Sequence, residues 1–242
     1  MTADLLVKQG HQVILHARNA ERGRDALFKV PGAEKVLTAD LSSIEETKQL
    51  AAEVNAMGRY DAVIHNAGVY NVSNRAFSKD GFPLIFAVNS LAPYILTALI
   101  HKPERLIYLS SGMHMQGNPK LSDLNIETLR VRNSVTYSDS KLHDVILCMA
   151  VARKWPDTFS NALDPGWVPT KMGGAGAPDN LEEGFLTQAW LAVSNDKEAK
   201  VTGQYFYHRK AKSYLPVAGD PVVQDKFLFL CEQISGVRFP AN

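Results

Sequence analysis

The sequence predicts an α/β protein built on a mainly parallel sheet with helices on both faces, and three observations predict it. Apolar runs of strand length alternate with segments of helix length along most of the chain, the signature of repeated strand–helix–strand units. Polar or glycine-bearing residues follow nearly every apolar run, and an open parallel sheet binds its ligands outside the carboxyl ends of its strands. No repeat, low-complexity tract or linker interrupts the 242 residues, so a single domain over 1–242 is expected.

Taken in order, residues 2–9 carry apolar positions at helical spacing and stop at Gly10, a helix C-cap signal. Residues 12–17, Gln-Val-Ile-Leu-His-Ala, read as a buried strand. A helix from 21 to about 30, a strand at 35–39, a helix from 42 to about 57 and a strand at 60–65 continue the alternation. The helix expected from about 81 to 101 contains Pro93, a kink point. A strand at 105–110, an irregular stretch at 111–136 and a helix from 137 to about 154 follow. After a strand near 158–163 comes a Gly/Pro-rich stretch at 164–179, too long for a plain connection and so a candidate binding loop or lid. A helix at 181–193, a strand at 204–207 and an amphipathic segment at about 222–234 complete the chain. The chain thus opens on a helix that should already follow a strand.

Composition narrows the function classes. With 45% hydrophobic and 21% charged residues the chain is an ordinary globular protein, and a formal charge of +1 gives no electrostatic case for nucleic acid or an anionic membrane surface. The most apolar stretch, 84–100, is broken by Asn89, Ser90, Pro93 and Thr97, so no membrane span is expected. Cys148 and Cys231 form no disulfide framework and lack metal-ligand spacing, which suits core thiols in the cytoplasm; no metal site is expected.

The chemistry concentrates at Tyr137-Ser138-Asp139-Ser140-Lys141, where a phenol and an ammonium four residues apart share one helix face. A tyrosine titrates near pH ~10 in water, and a fixed positive charge nearby lowers that value, so the pair can pass a proton to or from an alcohol or carbonyl oxygen. By itself the spacing also fits a solvated pair. Past the strand ends lie Arg18 and Asn19, Asp40, Asn66-Ala67-Gly68, Ser110-Ser111 and Pro165-Gly166.

Together with Tyr137 and Lys141, this succession resembles the short-chain dehydrogenase/reductase family over nearly the whole chain. The resemblance implies a Rossmann-like doubly wound parallel sheet in three layers and hydride transfer with a nicotinamide cofactor. It implies that Ser111 orients the substrate oxygen, with Ser110 the rival, and that Tyr137 gives or takes the proton. Lys141 would lower the phenol's pKa and bind the nicotinamide ribose, and Asn89 would serve a water-linked proton relay. Asn66, Ala67 and Gly68 would line the cofactor and Asp40 the adenine edge, although Asp40 alone would read as a helix N-cap. Pro165, Gly166, Val168 and Thr170 would hold the nicotinamide end. The strand at 12–17 ends in Arg18 with no acid nearby, which points to NADP rather than NAD. The long Ser111-to-Tyr137 separation, with Leu121-Ser122-Asp123-Leu124 inside it, resembles the retinol dehydrogenase-like carbonyl reductase branch and implies a small-molecule apolar alcohol or carbonyl substrate. His114 in this stretch is expected to be exposed. A homodimer or homotetramer would form through the helices at 81–101 and 137–154.

One part of the family pattern is absent. Members begin with a strand and a Thr-Gly-x-x-x-Gly-x-Gly turn that holds the pyrophosphate, whereas Met1 to Leu6 here resembles the helix after that turn. In the strand order 3-2-1-4-5-6 the missing strand is central, so its neighbours lose their partner. A reading frame begun at an internal Met is favoured over a shortened protein. For the chain as given, weak or absent cofactor binding and reduced stability are expected, and the rearrangement to look for is whether the second strand shifts across to pair with the fourth. Two other classes compete: a noncatalytic truncated Rossmann scaffold that binds a ligand or partner, and a nucleotide-sugar epimerase, which shares the Tyr/Lys pair but needs more chain after Thr170.

Overall fold

The structure, a computed structural model, describes residues 1–73, 75–121, 124–132 and 134–241; Ser122 and Asp123 of the 121–124 motif lie outside the described residues. Strand β1 (Ile14–Ala17) follows helix α1 (Thr2–Lys8) and pairs in parallel with β2 (Lys35–Thr38) across helix α2 (Ala20–Lys29). Asn19 caps α2 by accepting the Arg22 N–H, which fixes where the chain turns out of the strand. Helix α3 (Ile44–Ala56), capped by Ser43, leads to β3 (Ala62–His65).

Between β3 and β4 (Arg105–Leu109) the expected long helix is built in three parts: a short α4 (Leu84–Phe86), a π turn (Ala87–Leu91) and α5 (Ala92–Leu99). Pro93 has no N–H to give the Asn89 carbonyl, and the helix is widened just ahead of it. The irregular stretch contains a 3₁₀ turn (Gly112–Gln116) and a short α6 (Ile126–Val131). Helix α7 (Tyr137–Lys154) opens on a capping box in which Thr136 and Asp139 bond each other's backbone. Strand β5 (Phe159–Asp164), helix α8 (Glu183–Val193), β6 (Gln204–Tyr207), an unanticipated antiparallel β7 (Lys210–Lys212), a 3₁₀ turn (Pro216–Gly219) and α9 (Pro221–Ser235) follow.

The sheet is divided. Strands β3-β4-β5-β6-β7 form one five-stranded sheet, and β1-β2 form a separate pair. The second strand does not shift across to the fourth: β1 keeps β2 and β3 keeps β4, in the registers Ile14 to Lys35 and Ala62 to Arg105. The physical reason is that helix packing already places β1-β2. Leu50 and Ala51 of α3 share a buried cluster with Leu37, Val88, Ala92 and Leu96. The Asn55 side chain adds hydrogen bonds to the Leu99 carbonyl and from the His101 N–H, both 2.7 Å. Each buried leucine there contributes about 1.5–3 kcal/mol, enough to hold the pair without a shared ladder.

Helices pack on both faces of the five-stranded sheet, giving three layers. Leu191 and Ala192 of α8 cover Ile107, Leu163 and Phe206 on one face. On the other, α7 has thirteen of its eighteen residues buried, because α9 covers its outer side. His143 meets Phe227 at 5.0 Å between ring centres, Trp155 stacks on Phe239, and Tyr94 of α5 donates to the Val237 carbonyl at 2.8 Å. The C-terminal segment of this chain thus packs on α5 and α7, the two helices expected to associate with a second copy. Among the described residues no helix is long and apolar enough to cross a membrane, and no group of His, Cys, Asp and Glu is placed to hold a metal.

Candidate active site

Four separate segments meet at the carboxyl ends of β3, β4 and β5. The first turn of α7 brings Tyr137, half-buried, with the Lys141 Nζ 5.5 Å from the centre of its ring. Lys141 is itself buried and donates to the Leu109 carbonyl at 2.8 Å and to Asp144 Oδ2 at 2.9 Å. Burial alone would strip its proton, but Asp144 and Tyr137 outweigh it and hold the ammonium charged. Burial pushes Asp144 up to about 6 against the pull of Lys141.

Lys141 lowers the Tyr137 phenol, as expected, but other groups outweigh it. Burial raises Tyr137, Lys141 draws it back, and Asp144, Asp164 and Tyr70 add to the rise, so the phenol sits above pH 10. The Tyr70 ring meets it edge-on at 4.7 Å. Tyr70 stands there because Asn89, in the π turn, binds the N–H and carbonyl of the preceding Val69 at 2.8 and 3.0 Å. Asn89 also donates to Ser140 Oγ at 3.0 Å and so joins α7 to the turn after β3.

The two serines separate cleanly. Ser110 is buried and donates its hydroxyl to the Lys141 carbonyl at 2.7 Å, which ties β4 to α7. Ser111 is only partly buried and accepts the Met113 N–H at 3.2 Å, which leaves its own proton to give. His114, expected to be exposed, is instead buried. Its Nε2 accepts the Leu215 N–H at 3.3 Å, so Nδ1 carries the proton and donates to the Ser111 carbonyl at 2.7 Å, and the ring packs 4.5 Å from Tyr205.

Asp164, which the sequence pattern did not single out, accepts the Gly112 N–H and the Gly166 N–H, both at 2.8 Å. It thereby links the Ser111 turn to the loop after β5. In that loop Gly166 has a φ of +83°, and a Cβ there would come within 2.7 Å of Asp179 Oδ2. Asp179 accepts the Trp167 N–H at 2.6 Å, and Thr170 Oγ1 accepts the Gly173 N–H at 3.2 Å. Pro165, Val168 and Thr170 are partly buried along this stretch. Asp144 and Asp164 had modest sequence signals: a carboxylate inside the apolar run after Lys141, and one directly before Pro165-Gly166.

The remaining cofactor candidates follow the ends of β1, β2 and β3. Asn66 and Ala67 are exposed past β3, and Gly68 lies beside the ammonium. Arg18 is exposed at the end of β1. Asp40 is not the helix cap: Ser43 caps α3, while Asp40 accepts the Ser42 N–H at 3.0 Å and gives its own N–H to Glu46 at 2.8 Å.

The chain is similar in sequence and in fold to known proteins. The short chain dehydrogenase family matches residues 1–119. An uncharacterized oxidoreductase of Emericella nidulans is 42% identical over 99% of this chain and 93% of its own length. Retinol dehydrogenase 14 of Mus musculus is 30% identical over 98% and 82%. Among solved structures, an uncharacterized protein from Mycobacterium paratuberculosis superposes with a TM-score of 0.81 at 24% identity, covering 99% of this chain and 89% of that one. The NADPH-bound carbonyl reductase from chicken fatty liver superposes with a TM-score of 0.60 at 20% identity, covering 84% and 88%. The chain belongs to the short-chain dehydrogenase family, close to its retinol dehydrogenase branch, and has that family's Rossmann-like α/β fold. It is an oxidoreductase of the hydride-transferring kind.

Proposed function

We propose that this protein interconverts an apolar alcohol and its carbonyl compound with NADP(H), with Tyr137 carrying the proton. The observation that carries this reading is the convergence of Ser111, Tyr137, Lys141 and Asn89 from three segments, the turn after β4, α7 and the π turn, on one strand-end site. The nicotinamide cofactor supplies or accepts the hydride. Tyr137, protonated at neutral pH, donates to a carbonyl oxygen in reduction and recovers the proton in oxidation. Ser111 offers a hydroxyl proton to the same oxygen. Asn89 fixes Val69 and Ser140, the two sides of the entrance.

The residues past β3 fit the ribose and nicotinamide end of such a cofactor. A Cβ on Gly68 would sit 3.8 Å from Lys141 Nζ and 3.5 Å from Asn89 Oδ1, so the backbone after β3 passes directly beside the ammonium. Asn66, Ala67, Pro165, Gly166, Val168 and Thr170 would line that end, and Arg18 and Asp40 would serve the adenosine end, with the Arg18 guanidinium suited to a 2′-phosphate. Exposed Tyr70 and Trp167 near the site suit an apolar substrate. Two buried free thiols suit a reducing cytoplasm.

Calorimetry with NADPH and NADH, on this chain and on a fusion that places the family's first strand and glycine-rich turn ahead of it, tests the cofactor: tighter binding of NADPH by the fusion, inverted by Arg18→Glu, is the expected result, and failure of the fusion to bind either nucleotide would overturn it. Tyr137→Phe should abolish turnover and leave nucleotide affinity unchanged.

A further inference from the structure

Lys141 and Asp144 form a buried ion pair that the family pattern of Tyr and Lys does not require. Their side chains are 6% and 5% exposed, and Nζ lies 2.9 Å from Oδ2. An ammonium has three protons to give. Two are committed here, to Asp144 and to the carbonyl of Leu109, so two fixed acceptors on α7 and β4 define the position of Nζ.

Resting on the reading of Tyr137 as proton carrier, we propose that Asp144 is a positioning residue that holds the Lys141 ammonium and sets how strongly its charge acts on Tyr137. The Tyr137 ring centre is 5.5 Å from Nζ. At that range a lone buried cation would favour the phenolate strongly, whereas a cation with a carboxylate at hydrogen-bond distance presents mostly a dipole. The other groups acting on the phenol are Asp164, at the end of β5, and Tyr70, after β3, and both push in the same direction as Asp144. Among the described residues, Lys141 is the one group drawing the phenol down, and Asp144 is its direct partner. Around Asp144 itself stand Lys141, Tyr108 of β4 and Cys148 of α7; the last two are held neutral by burial, so the carboxylate's field falls on the lysine and the phenol. The consequence is a phenol kept protonated, the state that donates to a carbonyl oxygen, which favours reduction.

The test is the ultraviolet titration of tyrosinate, taken as the difference between the chain and its Tyr137→Phe variant so that Tyr137 alone is read. In Asp144→Asn, which keeps the shape and removes the charge, the Tyr137 midpoint should fall by about one pH unit or more, and the alkaline optimum of alcohol oxidation should move with it. Asp144→Ser, smaller and able to admit a water, carries the same expectation if the asparagine variant does not fold. A folded variant of either kind whose Tyr137 midpoint is unmoved or raised overturns the proposal, since a purely structural counter-ion would alter stability and leave the titration in place. A lowered midpoint in a protein that turns over no alcohol or carbonyl compound supports the role of Asp144 and refutes the enzymatic assignment of Tyr137.

Discussion

Asn89 holds the peptide of Val69 from both sides, its Oδ1 accepting the N–H at 2.8 Å and its Nδ2 donating to the carbonyl at 3.0 Å. The grip links a π turn in one helix to the turn after β3, and the third contact, to Ser140, reaches the helix that carries Tyr137. Among the described residues, Asn89 is the side chain bonded to both walls of the site. Its side-chain amide has an acceptor and two donors, and all three are used here.

Replacing Asn89 should therefore cost both stability and activity. It is 1% exposed, so Asn89→Ala leaves the Val69 N–H and carbonyl without a partner, a loss of about 1–3 kcal/mol. Asn89→Asp keeps the acceptor and loses both donors, so it should rescue neither. Urea unfolding and kcat for the same preparations check this; an unchanged midpoint with unchanged kcat would show that the contacts are incidental.

Ser110 and Ser111 should separate by phenotype. Ser110→Ala removes a buried bond to the Lys141 carbonyl and should lower stability by about 1 kcal/mol with a modest loss of activity. Ser111→Ala should leave the urea midpoint in place and reduce kcat at least about 100-fold, as removal of a donor to the reacting oxygen does. The reverse pattern would exchange their roles.

These assignments show where the sequence was readable. Strands β1 to β6 and helix α7 declare themselves through local periodicity, and Tyr137 and Lys141 share a helix face by spacing alone. The surroundings of that face are not local. The burial of the outer side of α7 depends on α9, some seventy residues later in the chain, and Asp144 is enclosed on the sheet side beside Tyr108 of β4. His114 is buried because a backbone N–H from Leu215, 101 residues on, meets its ring. Strand β7 is three residues with no apolar alternation, and the division of the sheet reflects helix packing that no strand motif encodes.

Acid should destabilise the fold through buried histidines. Burial holds His143 and His65 at about 4, below the ordinary 6.5. Between those values the unfolded chain binds the protons that the folded chain refuses, so their stabilisation is complete above about pH 6.5 and is lost as pH falls toward 4, up to about 3 kcal/mol for each. Asp144 works in the opposite sense: raised to about 6, it takes a proton in the folded state first and offsets roughly one histidine over the same range. The net expectation is a lower urea midpoint at pH 4.5 than at pH 7. His143→Asn, which can keep the bond to Ser90, should remove most of that dependence, because Asp144 then offsets His65; an unaltered slope would mean that His143 titrates normally.

The divided sheet leads to a prediction about local opening. In a continuous ladder, β1-β2 could detach only by breaking interstrand hydrogen bonds, whereas here the pair is held mainly by α3 on α5, with Leu50 4% exposed at the contact. Leu50→Ala should cost about 2–5 kcal/mol at that contact. Hydrogen exchange under native conditions should then show the amides of β1 and β2 losing protection well before those of β4 and β5, which α7 and α8 enclose. Leu191→Ala, on the α8 side, provides the contrast, because it loosens the packing on β4 and β5 directly. If Leu50→Ala lowers protection equally in all four strands, the two sheets open as one unit, and the helix contact transmits as much cooperativity as a ladder would.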